Sequence, residues 1–244
     1  MISSRMRWGI SHIGVSLIFL AATSYFVFFL WYPKPFGVNS GVLKIYALLI
    51  LVQLVLGPAL TLFLYKKDKK KLISDLSVVL LLQLAAYTYG MIVIAQGRPA
   101  WIVFVIDDFE IVRPADLYLV EGRRMPDEFS PSIARGPSIV AAVYSEDEEV
   151  RFKQKQDELI LGKSLVLEPE TYRTFESQRP RVKEKMRGLD ELEKFNSKNA
   201  VNAVRKEWPA ATSWLPLKGA RQDMAVLLDR DAAVVAVADV RPWD

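Results

Sequence analysis

The sequence contains no cysteine and a single histidine, His12, among its 244 residues. Without cysteine the chain has no thiol nucleophile, no disulfide and no thiolate ligand for zinc. The histidine lies in the first apolar stretch, so no histidine-based triad is available to the polar remainder of the chain. This inventory is compatible with few catalytic mechanisms. It favours a protein that is not an enzyme, with no catalytic residues, no metal and no cofactor.

Acidic residues are also scarce in residues 1–97, which carry nine basic and two acidic side chains. Residues 98–244 carry 23 basic and 26 acidic side chains, so the positive excess is confined to the first region. There the basic residues lie between apolar stretches and form no continuous basic face, which argues against nucleic acid as a partner. We therefore expect two domains, an apolar one at 1–97 and a polar one at 98–244.

Three apolar stretches fill the first region, at residues 10–32, 43–65 and 77–95. A helix needs about 20 apolar residues to cross a bilayer, and each stretch has about that length. A cleaved signal peptide would have a shorter apolar core ending in small residues, whereas the first stretch ends in Trp31 and Tyr32. We interpret it as an uncleaved anchor. The sequence thus predicts three transmembrane helices in a lipid bilayer.

The second and third stretches are separated by Lys66-Lys67-Asp68-Lys69-Lys70-Lys71. Five lysines in so short a loop indicate the cytoplasmic side of the membrane, and Arg5 and Arg7 place the amino terminus on the same side. An odd number of spans then puts residues 98–244 on the opposite side. That side is the periplasm in a bacterium or a lumen in a eukaryote.

The polar region alternates between strand-like and helix-like patterns. Short apolar runs predict strands at 101–106, 109–113, 138–144, 224–228 and 233–240, with Asp107-Asp108 and Asp229 to Asp231 as turns. The charged segments 146–161 and 170–208 predict amphipathic helices with breaks near Gly162, Pro180 and Gly188. Strands at both ends with helices between them predict an α+β domain with an antiparallel sheet.

The candidates for partner binding are the polar and helix-distorting residues of the apolar stretches: His12, Gln53, Gly57, Pro58, Asp75 and Gln83. Because polar groups are costly in lipid, Gln53 and Gln83 should hydrogen bond either within the bundle or with a bound helix. His12 and Asp75 lie near the same membrane face, where they either pair or are solvated separately; the helix dipole also favours Asp75. Gly57-Pro58 predicts a kink that either opens a groove or serves ordinary packing.

Two motifs of the polar region imitate catalytic or binding sites. Asp107, Asp108 and Glu110 offer carboxylates for acid–base chemistry, but no second carboxylate across a cleft is visible and aspartates are common in turns. Gly162-Lys163-Ser164 matches the end of a phosphate-binding loop, yet Asp157 occupies the position where that loop needs its first glycine. Neither motif predicts an active site, so a membrane-tethered periplasmic carboxylate hydrolase is a weaker interpretation than a protein that is not an enzyme.

Fourteen short motifs follow one another along the chain: Trp31-Tyr32-Pro33, Pro35-Phe36, Leu56-Gly57-Pro58, Leu60-Thr61-Leu62, Asp75-Leu76-Ser77, Gln83-Leu84-Ala85-Ala86, Tyr89-Gly90, Arg98-Pro99, Val103-Phe104-Val105, Asp108-Phe109-Glu110, Ala115-Asp116-Leu117, Leu215-Pro216-Leu217, Met224 to Asp229 and Pro242-Trp243. In this order they resemble the type IV pilin accessory proteins of the TfpX/TfpZ kind, small proteins of the bacterial inner membrane. The chain departs from that pattern at Gln53, where an acidic residue is expected.

The resemblance implies a chaperone-like role in the assembly or display of a cognate type IV pilin, which would be the partner. It implies a multi-pass protein of the inner membrane with its second domain in the periplasm. It also implies that the client presents an apolar helix with one acidic residue, to which a protonated His12 could donate a charge-assisted hydrogen bond. An alternative is a regulator of the pilus machine that alters the balance of extension and retraction.

Overall fold

The computed structural model describes residues 4–64, 72–118 and 125–243. The chain forms two compact units, Met1–Arg98 and Pro99–Asp244. The first is a helical bundle, and the second is a sheet with helices packed on it. The predicted lysine loop, Lys66 to Lys71, lies outside the described residues.

The bundle contains five α-helices, some of which are joined end to end, within the described part of the first unit. Helix α1 (Ser4–Tyr25) continues into a π-helical turn (Phe26–Trp31), and a short α2 (Phe36–Asn39) follows. Helix α3 (Val42–Leu51) runs through a second π-helical segment (Val52–Leu56) into α4 (Gly57–Leu64), and α5 spans Leu72–Gln96. Three stretches, Ile13–Trp31, Val42–Leu60 and Ser74–Gln96, are long and apolar enough to cross a membrane, as predicted.

The distortion predicted at Gly57-Pro58 takes the form of the π-helical segment Val52–Leu56. Pro58 has no N–H to donate, and its ring crowds the carbonyl of the preceding turn. A wider π-helical turn accommodates this loss, so the helix continues through the proline. The segment brings Gln53 to a buried position in the bundle.

The bundle interior is held by aromatic and branched side chains, including Val27, Trp31, Tyr46 and Tyr87. Helices α3 and α5 approach so closely that a Cβ atom on Gly90 would overlap Leu49 Cδ2. A side chain at position 90 would therefore force the Leu49 side chain to move, so Gly90 allows the two helices to pack closely here.

The second unit is built on one eight-stranded sheet with the order β4-β3-β1-β2-β6-β7-β8, and β5 pairs with β6 beside this path. The strands are β1 (Trp101–Val105), β2 (Asp108–Val112), β3 (Ser138–Ala142), β4 (Tyr172–Thr174), β5 (Arg187–Gly188), β6 (Ser213–Lys218), β7 (Met224–Leu228) and β8 (Val234–Ala238). The pairs β1/β2 and β7/β8 are the predicted hairpins.

The expectation of an antiparallel sheet is wrong, because the sheet is mixed. Strand β3 pairs with β1 in parallel, and β6 pairs with β2 in parallel. Strand β2 runs antiparallel to β1 and so ends at the end of the sheet where β1 begins. The connection after β2 stays at that end and passes β1, so β3 starts beside the start of β1 and runs in the same direction.

The charged middle contains three helices of the second unit: α6 (Glu148–Leu161), α7 (Phe175–Lys185) and α8 (Lys198–Glu207). Asp147 caps α6 by accepting from the backbone N–H groups of Glu149 and Val150, and Gly162 ends it in the left-handed region at φ 63°. The predicted helical stretch 170–208 is wrong in part, since it also contains β4 and β5. Those strands form through pairing with distant residues of β3 and β6.

Strand β6 was missed because it contains Pro216, which cannot donate a ladder hydrogen bond. Residues Ser213 and Trp214 pair with β5, while Leu217 and Lys218 pair with β2. Pro216 therefore lies where one edge of β6 changes partner. On the other edge it pairs with Ala225 of β7.

Candidate functional site

A groove of about 430 Å³ lies in the helical bundle. Helices α1 and α5 pack mainly against α4 and leave an open space between them. One wall of the groove is formed by α1, the other by α5, and Gln53 of the second span contributes to its lining. Six of the ten residues that line it are apolar, and the other four are two serines and two glutamines: Ser11, Val15, Ser16, Phe19, Gln53, Leu76, Val79, Leu80, Gln83 and Leu84.

Gln83 is the residue that distinguishes this groove from an ordinary packing defect. It lies on the buried face of α5 with Val79 and Tyr87, one helical turn away on either side. Its side chain is only 5% exposed, and neither Nε2 nor Oε1 has a hydrogen-bond partner in the described part of the chain. The interhelical hydrogen bond expected for this amide is therefore not formed.

The structure brings together only some of the predicted partner-binding residues. Gln53 and Gln83 line the same groove. Gly57 and Pro58 are buried but do not line it, and their effect on it is through the π-helical segment before them. Asp75 is half-buried in the first turn of α5, next to groove residue Leu76. The side chain of His12 lies outside the described residues, so its pairing with Asp75 stays a prediction.

Sequence reasoning missed the small polar residues of α1. Ser16 is buried and lines the groove, and Thr23 lies on the same face two turns later. Polar residues that recur at a seven-residue spacing in an apolar helix are the signal that would have identified this face.

A hydrogen-bonded cluster closes the bundle beyond the groove. The Thr23 hydroxyl is 2.9 Å from the Tyr46 hydroxyl and 2.5 Å from the Tyr87 hydroxyl, which joins all three spans. Tyr46 also contacts Ser24 Oγ at 2.9 Å and donates to the carbonyl oxygen of Leu20 at 3.0 Å. These polar groups satisfy one another, whereas the amide of Gln83 does not share in the cluster. The bundle is therefore tightly joined at one level and open at another.

Two of the carboxylates considered for acid–base chemistry, Asp108 and Glu110, form ion pairs with Lys218. Asp108 pairs with Val105 in the β1/β2 ladder and so is a strand residue, contrary to the predicted turn. Lys218 Nζ lies 2.7 Å from Asp108 Oδ2 and 3.4 Å from Glu110 Oε1. Glu110 and Lys218 are register partners of β2 and β6, so the lysine links two parallel strands.

The pKa of Asp108 and the pKa of Lys218 are both raised, for opposite reasons. Burial raises the pKa of Asp108 more than the hydrogen bond from Lys218 lowers it. Burial lowers the pKa of Lys218, but Asp108 and Glu110 together raise it above its ordinary 10.5. The raised pKa of Asp108 means that its surroundings disfavour the ionised carboxylate, whereas the raised pKa of Lys218 means that its surroundings favour the charged lysine. The lysine is the better guide to the pair, because it is half-exposed and meets two carboxylates.

The other predicted motifs of the second unit are explained by local structure. Asp229 accepts hydrogen bonds from the backbone N–H groups of Asp231 and Ala233 at 2.8 Å, as predicted for a turn. Gly162 of the Gly162-Lys163-Ser164 motif ends α6. Across residues 4–64, 72–118 and 125–243, no three His, Cys, Asp or Glu side chains gather as metal ligands do.

Comparison with known proteins gives consistent results. The family of fimbrial assembly protein FimB matches residues 1–41. The fimbrial assembly protein of Dichelobacter nodosus serogroup E1 is 26% identical over 243 residues, covering 96% of this chain and 94% of the relative. That of serogroup I is 25% identical over 242 residues with the same coverage. That of serogroups C1 and C2 is 35% identical over 112 residues, which are 45% of this chain and 86% of the relative. No solved structure matches the chain.

Proposed function

The chain belongs to the fimbrial assembly protein family, and from this membership we propose that it is a non-enzymatic, chaperone-like membrane protein that supports assembly or display of a type IV pilin. The relatives confirm the resemblance to accessory proteins of pilus assembly. The finer role rests on one observation, the open apolar groove between α1 and α5.

The proposed location is the bacterial inner membrane, with the amino terminus in the cytoplasm and the second unit in the periplasm. The outward faces of the three spans support insertion, since they expose large apolar side chains such as Ile18, Phe29 and Leu81. The lysines from Lys66 to Lys71 support the orientation.

In this proposal the groove holds the apolar helix of a pilin before the pilin enters the filament. Helices in lipid gain little from hydrophobic burial and associate mainly through close packing and hydrogen bonds. A groove bounded by two helices offers a guest helix more packing surface than the convex side of one helix. Release into the filament requires that this association be reversible, so we expect no covalent chemistry.

The test is a deletion of the gene followed by complementation with groove variants. Leu80→Trp fills the groove with a large side chain, whereas Leu82→Trp adds the same side chain to α5 at a 66% exposed position that does not line it. We expect Leu80→Trp to lower the number of surface pili as the deletion does, and Leu82→Trp to restore them.

Pilin abundance and pilus dynamics separate this proposal from its alternative. Normal surface pili in the deletion strain would contradict any assembly role. Normal pilin and pilus numbers with altered extension or retraction would instead favour a regulator of the pilus machine.

A further inference from the structure

We infer that Gln83 is the recognition point of the groove, where its amide hydrogen bonds to an uncharged polar side chain of the guest helix. This inference rests on the proposed function, because it takes a pilin helix as the guest. It adds a chemical requirement that the groove's apolar lining does not impose: the guest must carry a side chain that both donates and accepts at the depth of Gln83.

The unpaired amide is the observation that points to a ligand. Gln83 lies near the middle of the apolar helix Ser74–Gln96. With this helix in a bilayer, as proposed, no water replaces the missing partner. Leaving an amide without hydrogen bonds in such surroundings is unfavourable. Gln53 and Ser16 line the same groove, yet neither hydrogen bonds to Gln83. The described part of the bundle therefore offers the amide no hydrogen-bond partner. Because Nε2 and Oε1 are almost fully buried, the Gln83 side chain has to turn toward the groove for a guest to supply one.

A polypeptide helix suits the groove better than a lipid. An acyl chain fills apolar space but offers neither a donor nor an acceptor to Nε2 and Oε1 of Gln83. The α1 wall carries the small side chains of Ser11 and Ser16. Small residues allow a neighbouring helix backbone to approach closely, as is typical of contacts between helices in membranes.

The amide also restricts the chemistry of the side chain that meets it. Both its nitrogen and its oxygen are unpaired, so a group that donates and accepts can give each of the two atoms one hydrogen bond. A carboxamide, a hydroxyl or a protonated carboxyl group qualifies. An aliphatic side chain leaves both atoms unpaired and an ionised carboxylate leaves the acceptor unpaired. Gln83 therefore favours one register of the guest helix over registers shifted by a turn.

The experiment places a photocrosslinking residue in the full-length protein, in membranes of cells that make the pilin. Probes at Leu80 and Leu84 line the groove, and a probe at Leu82 on the other side of α5 is the matched control. We expect pilin adducts from the first two positions and none from the third. Combining the probes with Gln83→Leu should lower the adduct yield roughly 3- to 10-fold, the range for one hydrogen bond between membrane helices.

Two further variants keep the result independent of folding. Gln83→Asn retains an amide and should retain most of the adduct. On the guest, replacing each polar residue of the apolar helix by leucine in turn should reveal one position that lowers the yield as Gln83→Leu does. Combining that substitution with Gln83→Leu should cause no further loss, because both remove the same contact.

Each outcome bears on the inference or on the proposed function separately. Pilin adducts that are equally abundant with Gln83 and with leucine at that position would overturn the role of the amide and leave the groove as a docking site. Adducts only with lipid or with a second copy of this chain would overturn the inference. So would equal pilin capture from Leu82 and Leu80, or no adduct at any position. If deletion still abolished pili in those cases, the assembly role would stand without the groove.

Discussion

At the scale of single residues, Asp108 and Glu110 of the second unit act as partners of Lys218. Lys218 of β6 lies opposite Glu110 of β2 in the ladder and also contacts Asp108, which is on β2 as well. An apparent cluster of carboxylates is thus a device that joins two strands far apart in the sequence. The same composition would have supported acid–base chemistry only with a second carboxylate facing it across a cleft.

The ion pair predicts a pH dependence of stability. The folded-state pKa of Lys218 is raised, so its contribution is present below the ordinary 10.5 and is lost as the pH rises through the folded value. Because the lysine is half-exposed, we expect the free energy of unfolding to fall by less than about 1 kcal/mol between about pH 9.5 and pH 11.5. The measurement is thermal or denaturant unfolding of the full chain in detergent across this range.

Other ionisable side chains also lose protons at alkaline pH, so the readout is a difference between variants. Lys218→Met should lack the alkaline loss attributed to the pair, whereas Lys206→Met, at an exposed position of α8, should keep it. Identical pH profiles for wild type and both variants would show that the pair contributes nothing measurable.

At the scale of helices, the bundle combines a closed level with an open one. Thr23, Tyr46 and Tyr87 hydrogen bond across the three spans, while α1 and α5 separate at the level of Gln83. The π-helical segment Val52–Leu56 lies at the level of the groove, which Gln53 lines, and contacts both α1 and α5. The hydrogen-bonded cluster holds the helices in place, so the groove does not need to be filled for the bundle to persist.

The cluster predicts a specific loss of stability. Thr23→Val keeps the shape of the side chain but removes the hydroxyl that meets Tyr46 and Tyr87, so we expect the bundle to lose about 1–2 kcal/mol. Thr88→Val on α5 is the matched control, because Thr88 is exposed. Unfolding in mixed detergent micelles measures both variants. Equal stability of the two would contradict the linking role of the cluster.

At the scale of the molecule, the two units have separate cores. The bundle is packed around residues such as Val27 and Tyr46, and the sheet is packed around Trp101 and Tyr172 on one part and Trp214 and Leu227 on another. This separation fits a protein with one unit in lipid and the other in water.

The proposed orientation is tested by reporter fusions. A reporter that is active only in the periplasm should be active when fused after Asp244 and silent when fused after Lys70, because three spans separate the amino terminus from the second unit and the lysines are retained in the cytoplasm. Immunoblots of both fusions control for expression. Reversed activities would contradict the orientation and the pilin role that depends on it.

The amino-acid sequence was sufficient to identify the three apolar helices, the two hairpins and the family resemblance. Apolar length, proline positions and the aspartates of the Asp229 turn are local properties, which act within a few residues of the chain. The lack of cysteine and the single histidine likewise limit the available chemistry through composition alone. The predicted ends of the spans at Tyr32 and Ala95 lie within one residue of those in the structure.

The tertiary structure alone decided the parallel pairings and the groove. The position of β3 beside β1 and the change of partner at Pro216 depend on contacts between distant residues, which leave no periodic signal along either strand. The spans are apolar on all sides, so hydrophobic periodicity does not indicate which face of α5 is buried. Gln53 and Gln83 were both candidates. Only the packing of α1 and α5 on α4 shows that they share one groove and that the amide of Gln83 is left unpaired there.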